Sequence, residues 1–189
     1  MTERIALKEW ASTVAALREG KQIVLLRKGG IAEETRDFRL RSHSFYLFPA
    51  YEHQKKELLK EEYRPLVDET LAVWSPEDET VTIDCRAEVA EDIELTELSD
   101  VEKLLPYHIW TERFAEERLH WKRLKPLHLL IVRVYKLDTP LELRLDPGYF
   151  GCKSWVELLE EPAGRSGTAV LPDSEFQSKV DDIHRALRR

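Results

Sequence analysis

The 189-residue sequence contains only two cysteines, Cys85 and Cys152, which lie far apart and show no CxxC or Cys/His spacing. This scarcity excludes a disulfide framework and argues against a structural zinc site, and it is typical of a reducing compartment. Long apolar runs are missing too, since none approaches the roughly 18 residues that a membrane span needs. We therefore expect a cytoplasmic protein without a membrane partner.

The familiar catalytic motifs are also absent. The sequence has no GxSxG, P-loop, HExxH or dinucleotide-binding glycine pattern, so none of those enzyme classes is indicated. The pair Gly29-Gly30 follows an apolar segment, but no fuller glycine pattern accompanies it. It favours a tight turn over a phosphate loop, because paired glycines accept positive φ angles without strain.

The chain as a whole has no excess of positive charge. Charged residues make up 34% of the sequence and the net charge is −7, so the molecule as a whole is not built to coat nucleic acid or an anionic membrane. Any such binding must come from a local patch. Hydrophobic residues make up 42%, enough for a sizeable core.

Apolar periodicity predicts an α/β (or α+β) fold, a single domain with a mixed central sheet flanked by helices. Residues 22–26, 45–48 and 127–135 are short or long apolar runs that suit the centre of the sheet. Residues 81–89 alternate as a further strand. Pro49 should end the strand before it, because proline has no N–H for a continuing ladder. Helices are predicted at 4–18, 51–63 and 111–124.

The C-terminal part reads as an appendage to a core domain at residues 1–160. Prolines and glycines concentrate in a predicted linker at 161–174, and a capping-box pattern precedes a predicted C-terminal helix at 175–189. We expect this appendage to be dispensable for the core.

Three blocks of sequence together resemble an uncharacterised bacterial family of unknown function. They are Ala6–Trp10 with Leu25–Ile31, then Phe48–Gln54, then Arg133–Tyr135 with Gly151–Trp155. The resemblance spans about residues 5 to 160. It implies no activity, cofactor or partner, so function has to be argued from the residues themselves.

The first functional hypothesis is a module that binds nucleic acid or a phosphorylated ligand and needs no cofactor. Cations neutralise phosphates and aromatic rings stack on bases, so a surface that combines the two suits such a ligand. The hypothesis requires distant segments to converge in space. Its predicted ligand-binding residues are Arg27, Arg39, Arg41, Tyr51, His108, Trp110, Arg118, Trp121, Arg123 and Arg133.

The second hypothesis is a metal-dependent phosphodiester hydrolase. Glu34 and Glu52 would hold Mg²⁺ or Mn²⁺, and Glu52, His53 and Lys28 would act in catalysis, because hard divalent ions take carboxylate ligands and lower the pKa of bound water. The carboxylate-spacer-lysine pattern of compact nucleases is not present. Glutamate at a helix start is also favoured by the helix dipole alone.

The third hypothesis is an interaction subunit whose acidic surface meets a basic protein partner. Residues 76–104 carry eleven acidic side chains against two basic ones, a net charge of −9 (11 − 2). A solvated strand and loop surface would look the same.

Overall fold

The computed structural model describes residues 4–28, 38–121, 125–160 and 166–188. Within these ranges the chain forms seven strands and five α-helices. The strands are β1 (Ile5–Trp10), β2 (Val24–Arg27), β3 (Ser44–Ala50), β4 (Thr80–Leu95), β5 (Leu127–Arg144), β6 (Trp155–Glu157) and β7 (Gly167–Ala169). The helices are α1 (Ala11–Arg18), α2 (Pro65–Ala72), α3 (Leu98–Lys103), α4 (Glu112–His120) and α5 (Asp173–Leu187). None of the described helices is long and apolar enough to cross a membrane.

All seven strands belong to one mixed sheet. Its order is β2-β5-β4-β3-β1-β6, and β7 pairs with β5. β1 and β3 run parallel, whereas the other paired strands are antiparallel. The predicted α/β fold, a mixed sheet with flanking helices, is confirmed. The predicted sheet centre is wrong in one part, because β2 lies at one end of the strand order while β3 and β5 lie inside it.

The sheet curves until its two ends meet. Arg27 of β2 donates a hydrogen bond to the backbone carbonyl of Lys8 in β1 at 3.2 Å, although three strands separate β2 from β1 in the order. The ring of Phe38 lies 5.3 Å from that of His128 on β5 and 5.8 Å from that of Trp155 on β6. Two register shifts along β4 and β5 contribute to this curvature, since bulges bend and twist strands.

The curved sheet has an apolar cluster inside it and another between its outer surface and the helices. The inner cluster includes Leu7, Leu25, Phe45, Leu47, Cys85, Leu130, Val132 and Trp155. The outer cluster draws buried side chains from all five helices, including Ala16, Leu66, Val67, Val101, Phe114 and Ile183. Because burying a large apolar side chain stabilises a protein by about 1.5–3 kcal/mol, both clusters hold the sheet in its curved form.

The predicted helix at 4–18 is wrong in its first half. Residues 5–10 form β1, which runs parallel to β3 and antiparallel to β6. Consecutive Ala6 and Leu7 are both fully buried, as expected of a strand covered on two faces. The helical spacing of apolar residues holds from Ala11 onward, where α1 begins.

Pro49 does not end its strand, contrary to the prediction. It pairs with Glu9 of β1, and β3 continues to Ala50. β4 pairs with β3 only from Ser44 to Tyr46, so the described neighbour of Pro49 is β1 alone. A proline is tolerated where one side of a strand has no ladder to complete.

The predicted helix at 51–63 is also wrong. Residues 51–54 form a turn, and two short 3-10 turns follow at Lys56–Leu58 and Glu61–Tyr63. Pro65 begins α2 instead of closing a helix, because its missing N–H and fixed φ suit the first helical position. The predicted helix at 111–124 exists as α4, and the Thr111 hydroxyl accepts a hydrogen bond from the Phe114 N–H at its start.

The C-terminal segment is part of the packed structure. Within the predicted linker at 161–174, β7 pairs with Tyr135–Leu137 of β5, and α5 begins at Asp173, two residues before the predicted start. The linker interpretation is therefore wrong for 167–174. α5 buries its apolar face in the outer cluster through Phe176, Val180, Ile183 and Leu187. Residues 161–165 and 189 lie outside the described ranges.

Candidate anion-binding site

A concave pocket of about 350 Å³ lies where β2 ends beside the start of β5. Most of its polar lining is basic. Four of the described lining side chains are cationic or can become so, and one is acidic. The described lining consists of Lys28, Phe38, Arg39, Leu40, Glu94, Lys125, Pro126 and His128.

Lys28 forms one wall of this pocket. It follows β2 directly, is 2% exposed, and donates a hydrogen bond from Nζ to the carbonyl of Leu119 in the last turn of α4. The last carbonyls of a helix lack partners within the helix and favour a cation nearby. Burial lowers the pKa of Lys28. This side chain therefore fastens β2 to α4 and contributes a positive charge to the wall.

His128 of β5 also lines the pocket. Its Nδ1 lies 2.8 Å from Oδ1 of Asp92 on β4. The hydrogen bond to Asp92, and then the charge of this carboxylate, raise the pKa of His128 above its usual 6.5. Phe38 packs edge-on against the His128 ring. The imidazole is thus held in one orientation and stays protonated to a higher pH than a free histidine.

Arg39 supplies an exposed charge of the pocket. Its backbone carbonyl accepts a hydrogen bond from Nε1 of Trp155 at 3.0 Å, which anchors the segment to β6. Its side chain is exposed and has no ion pair with any described residue. Lys125 is also exposed. Residues 122–124, between Trp121 and Lys125 in the sequence, lie outside the described ranges. The backbone of Arg39 is fixed while its guanidinium stays open to solvent.

Two further predicted residues lie behind the pocket. Arg27 is 8% exposed, and its guanidinium lies 2.7 Å from the Glu9 carboxylate and 5.7 Å from the centre of the Phe38 ring. Arg118 of α4 lies over the Phe114 ring at 5.0 Å. Burial, and then the charge of Arg27, lower the pKa of Arg118, while Glu9 acts in the opposite direction. The three charges therefore form one cluster, with two cations and one anion.

Three predicted ligand-binding residues do not belong to this surface. His108 and Trp110 are 3% and 2% exposed, and Trp110 stacks on Phe114 within the outer apolar cluster. Burial, then the charge of Lys60, lower the pKa of His108 to about 3, so this imidazole is neutral. The prediction that this pair contacts a ligand is corrected, because neither ring reaches solvent.

Arg133 is the third residue that does not belong to this surface. Its guanidinium pairs with Asp173 and donates to the Leu171 carbonyl at 3.3 Å. It also lies 5.3 Å from the centre of the Phe176 ring. This side chain joins β5 to the start of α5, away from the pocket, and its predicted phosphate contact stays a prediction.

The other predicted aromatic and basic residues are scattered. Trp121, which directly follows α4, is 47% exposed, two residues beyond the carbonyl that binds Lys28. Arg41 is exposed two residues beyond Arg39. Tyr51 is half-buried and stacks on Trp74 with ring centres 5.5 Å apart. Arg123 lies outside the described residues.

The three sequence blocks that resemble the uncharacterised family come together around Lys8 of β1. Its ammonium donates to the carbonyls of Tyr149 and Gly151 at 2.8 and 3.1 Å. Burial, then the charge of Lys153, lower the pKa of Lys8, and the nearby charge of Glu52 opposes them. The first, second and third blocks thus meet here, with the ammonium held by backbone carbonyls.

The residues predicted for hydrolysis show no common site in the described structure. Glu52 and His53 lie on the turn after β3 with side chains 65% and 91% exposed, and His53 Nε2 lies 4.0 Å from Glu52 Oε2. Neither contacts Lys28 in the described ranges, and Glu34 lies outside them. Among described residues, the one group of acids close enough to share an ion is Glu102, Glu112 and Glu116. The hydrolase hypothesis stays a prediction. Among the described residues, no second carboxylate is shown beside Glu52 to share a metal ion with it.

The acidic stretch 76–104 is partly neutralised by internal ion pairs. Asp84 pairs with Arg18 at 2.6 Å, and Asp92 pairs with His128, whose pKa it raises. Its formal charge therefore overstates the field that a basic partner would meet.

Sequence reasoning missed Phe38, His128 and Glu9 as members of the site. The signal that could have found two of them is the register of β2 on β5, which pairs Arg27 with His128. That register is consistent with Lys28, directly after β2, and Lys125, two residues before β5, lining the same pocket. Glu9 could not be found, because its contact with Arg27 depends on the curvature of the sheet.

The chain belongs to the family described as Domain of unknown function (DUF1802), whose model matches residues 6–182. The resemblance found in the sequence is confirmed, and the match continues past residue 160 into α5. No curated protein matches the chain. Two solved structures of mutant ZmASCH from Zymomonas mobilis are similar to it. One has a TM-score of 0.46 and 11% identity, over 96% of this chain and 98% of the other. The second has a TM-score of 0.42 and 12% identity, over 94% and 96%.

Proposed function

We propose that this DUF1802 protein binds single-stranded nucleic acid, with its phosphates held in the pocket between the ends of β2 and β5. The observation that carries the proposal is the lining of that pocket, where Lys28, Arg39, Lys125 and His128 face one carboxylate, Glu94. In a chain of net charge −7, cations gathered in a concave surface produce a local positive potential that attracts anions.

A single strand suits this surface better than a duplex. Trp121 is 47% exposed and lies close to the Lys28 wall through α4. Unpaired bases stack on exposed aromatic rings with about 1–3 kcal/mol per base, and duplex bases cannot do so. A pocket of about 350 Å³ is too small for a whole strand, so most of the strand would follow the surface.

The test is the salt dependence of binding. Each phosphate neutralised on a single strand adds about −0.7 to the slope of log K against log salt. With about three cations in contact, we expect a slope of about −2 for the wild type. Arg39→Ala should weaken binding and reduce the steepness by about 0.7. Trp121→Leu should weaken binding without changing the slope, because it removes stacking and no charge.

Lys136→Ala is the matched control. Lys136 is exposed on the same strand as His128, eight residues further along β5, which is about 26 Å in an extended chain. Its removal changes the net charge by the same amount as Arg39→Ala but leaves the pocket intact. Equal effects of the two variants would show that attraction is diffuse and would contradict the proposal.

The same assay separates the other two hypotheses. Binding should need no divalent ion, so EDTA should leave it unchanged at a fixed concentration of monovalent salt. Strand cleavage that needs either ion and is lost in Glu52→Gln would favour the hydrolase. Absence of binding to single-stranded DNA and RNA at low salt would reject the proposal and leave a protein partner for the acidic surface.

A further inference from the structure

Behind the basic pocket lies a buried charge cluster whose charges do not balance. Glu9 and Arg27 are 9% and 8% exposed, and their 2.7 Å ion pair uses Nη1 of the arginine. The same Nη1 donates to the Lys8 carbonyl. Arg118 adds a second positive charge close enough to both groups to interact electrostatically. The cluster therefore carries two cations against one anion.

The guanidinium of Arg27 has one edge without a partner among the described residues. Its Nε is buried and has no hydrogen bond to any described residue, and no described group accepts from Nη2. The Nε and Nη2 edge of arginine presents two parallel N–H groups that match two oxygens of one carboxylate or phosphate. A buried donor left without a partner is destabilising, so this edge points to a ligand oxygen.

Arg118 is the second donor of the cluster. It lies on α4 with its guanidinium over the Phe114 ring, and its side chain is partly open to solvent. In the part of the chain that the structure describes, it has neither a hydrogen bond nor an ion pair. Burial, then the charge of Arg27, lower its pKa, and the charge of Glu9 opposes them only in part.

The cluster adjoins the pocket of the proposed function. Phe38 contacts the Arg27 guanidinium on one side and lines the pocket on the other. Lys28, the residue after Arg27, forms a wall of the same pocket. An anionic group at the inner end of a bound strand would therefore meet the cluster, with Arg118 at its solvent side.

We propose that Arg27 and Arg118 together bind one phosphate group, the terminal phosphate of a nucleic-acid strand seated in the basic pocket. The inference rests on the proposed function for the identity of the strand, whereas the anion site itself rests on the two arginines. A terminal phosphate carries about −1.5 to −2 charges at neutral pH, more than the single charge of an internal diester. It also offers three free oxygens to two guanidinium groups, and an internal phosphate offers two.

The test compares strands that differ only at their ends. Oligonucleotides of one sequence with 5′-phosphate, 3′-phosphate or hydroxyl ends are titrated into the wild type, Arg118→Ala, Arg118→Lys and Arg113→Ala. We expect one phosphorylated end to bind about tenfold or more tightly than the hydroxyl end, because charge-assisted hydrogen bonds contribute about 1.5–3 kcal/mol. The preference should vanish in Arg118→Ala and return in part in Arg118→Lys, which restores charge without the planar fork.

Arg113→Ala is the matched control, since Arg113 lies on the same helix, is exposed, and pairs with Glu117 at 2.8 Å. It should keep the full preference. Arg118 is chosen over Arg27 because removing Arg27 would leave Glu9 buried without its partner. Circular dichroism melting shows whether each variant is folded. If Arg118→Ala does not fold, Arg118→Lys still tests whether the end preference depends on the guanidinium of Arg118.

Inorganic phosphate separates failure of this inference from failure of the proposed function. It should raise the melting temperature of the wild type above that in chloride of equal ionic strength, and should do so less in Arg118→Ala. Equal binding of phosphorylated and hydroxyl ends would overturn the inference while the proposed function stands. A phosphate effect without strand binding would support the anion site and reject the nucleic acid. No effect of phosphate on any variant, together with no end preference, would reject the site.

Discussion

Removing residues 161–189 should unfold the protein, contrary to the expectation that they are dispensable. The truncation deletes β7, which pairs with β5, and α5, which buries Phe176, Val180, Ile183 and Leu187 at 8%, 4%, 0% and 6% exposure. Burial of each such side chain contributes about 1.5–3 kcal/mol. Four of them amount to about 6–12 kcal/mol, which equals the whole stability of a typical domain, about 5–15 kcal/mol.

The truncation has a second cost at the sheet. Arg133 would lose Asp173 and the Leu171 carbonyl, and its buried Nε already lacks a hydrogen bond to any described residue. The outer apolar cluster would also be exposed along the face that α5 covers. We therefore expect a fragment of residues 1–160 to aggregate or to lack a cooperative thermal transition.

Two point variants give the magnitude in the full-length chain. Phe176→Ala should lower the free energy of unfolding by about 3–5 kcal/mol, the usual range for truncating a buried phenylalanine. Ser178→Ala, at an exposed position of the same helix, should change it by less than about 0.5 kcal/mol. The assay is urea unfolding followed by far-UV circular dichroism and tryptophan fluorescence. A monomeric 1–160 fragment that melts cooperatively near the full-length temperature would refute the reasoning and restore the division at residue 160.

Two further predictions follow from particular contacts. Gly167→Ala should destabilise the protein by about 1–3 kcal/mol in urea unfolding, because its Cβ would lie 2.4 Å from the Lys136 carbonyl oxygen. Thr168→Ala, at an exposed position of the same strand, serves as the control. Equal stability of the two variants would contradict the close approach. His128→Gln should make stability less dependent on pH. The Asp92 contact raises the pKa of His128 above 6.5, so its stabilising contribution is complete below that pH and is lost as the pH rises through the raised value. The wild type should exceed the variant in melting temperature at pH 5.5 by more than at pH 8.5, and a constant difference would contradict this account.

The sequence predicted best where side-chain pattern and local structure agree. The alternation of buried and exposed residues in β4 was visible because each buried side chain of this strand packs in an apolar cluster. It failed at Ile5–Trp10, where Leu7, Trp10, Val14 and Leu17 keep a helical spacing across a strand–helix junction. What overrides that spacing is pairing with β3 and β6, a long-range effect that no local window contains.

The sequence predicted only some of the pocket residues, for a related reason. The basic residues flanking β2 and β5 could be counted, and the hypothesis required their convergence. The antiparallel register that brings Arg27 beside His128 depends on how two apolar strands pair, and both are buried in this region apart from His128. Alternation fixes the register of a half-buried strand, but it gives little information for a strand buried on both faces.

No sequence pattern shows which cations are left without an internal ion pair. Arg133 and Arg39 are alike in sequence terms, each a lone arginine beside apolar residues. In the structure the first is engaged by Asp173, while the second has no ion pair among the described residues. Binding capacity for an anion depends on the charges left after internal pairing, because an engaged cation must first give up its partner. Arg39 at the rim and Arg118 behind it are the two arginines of this site that meet that condition, which is why the functional tests are placed on them.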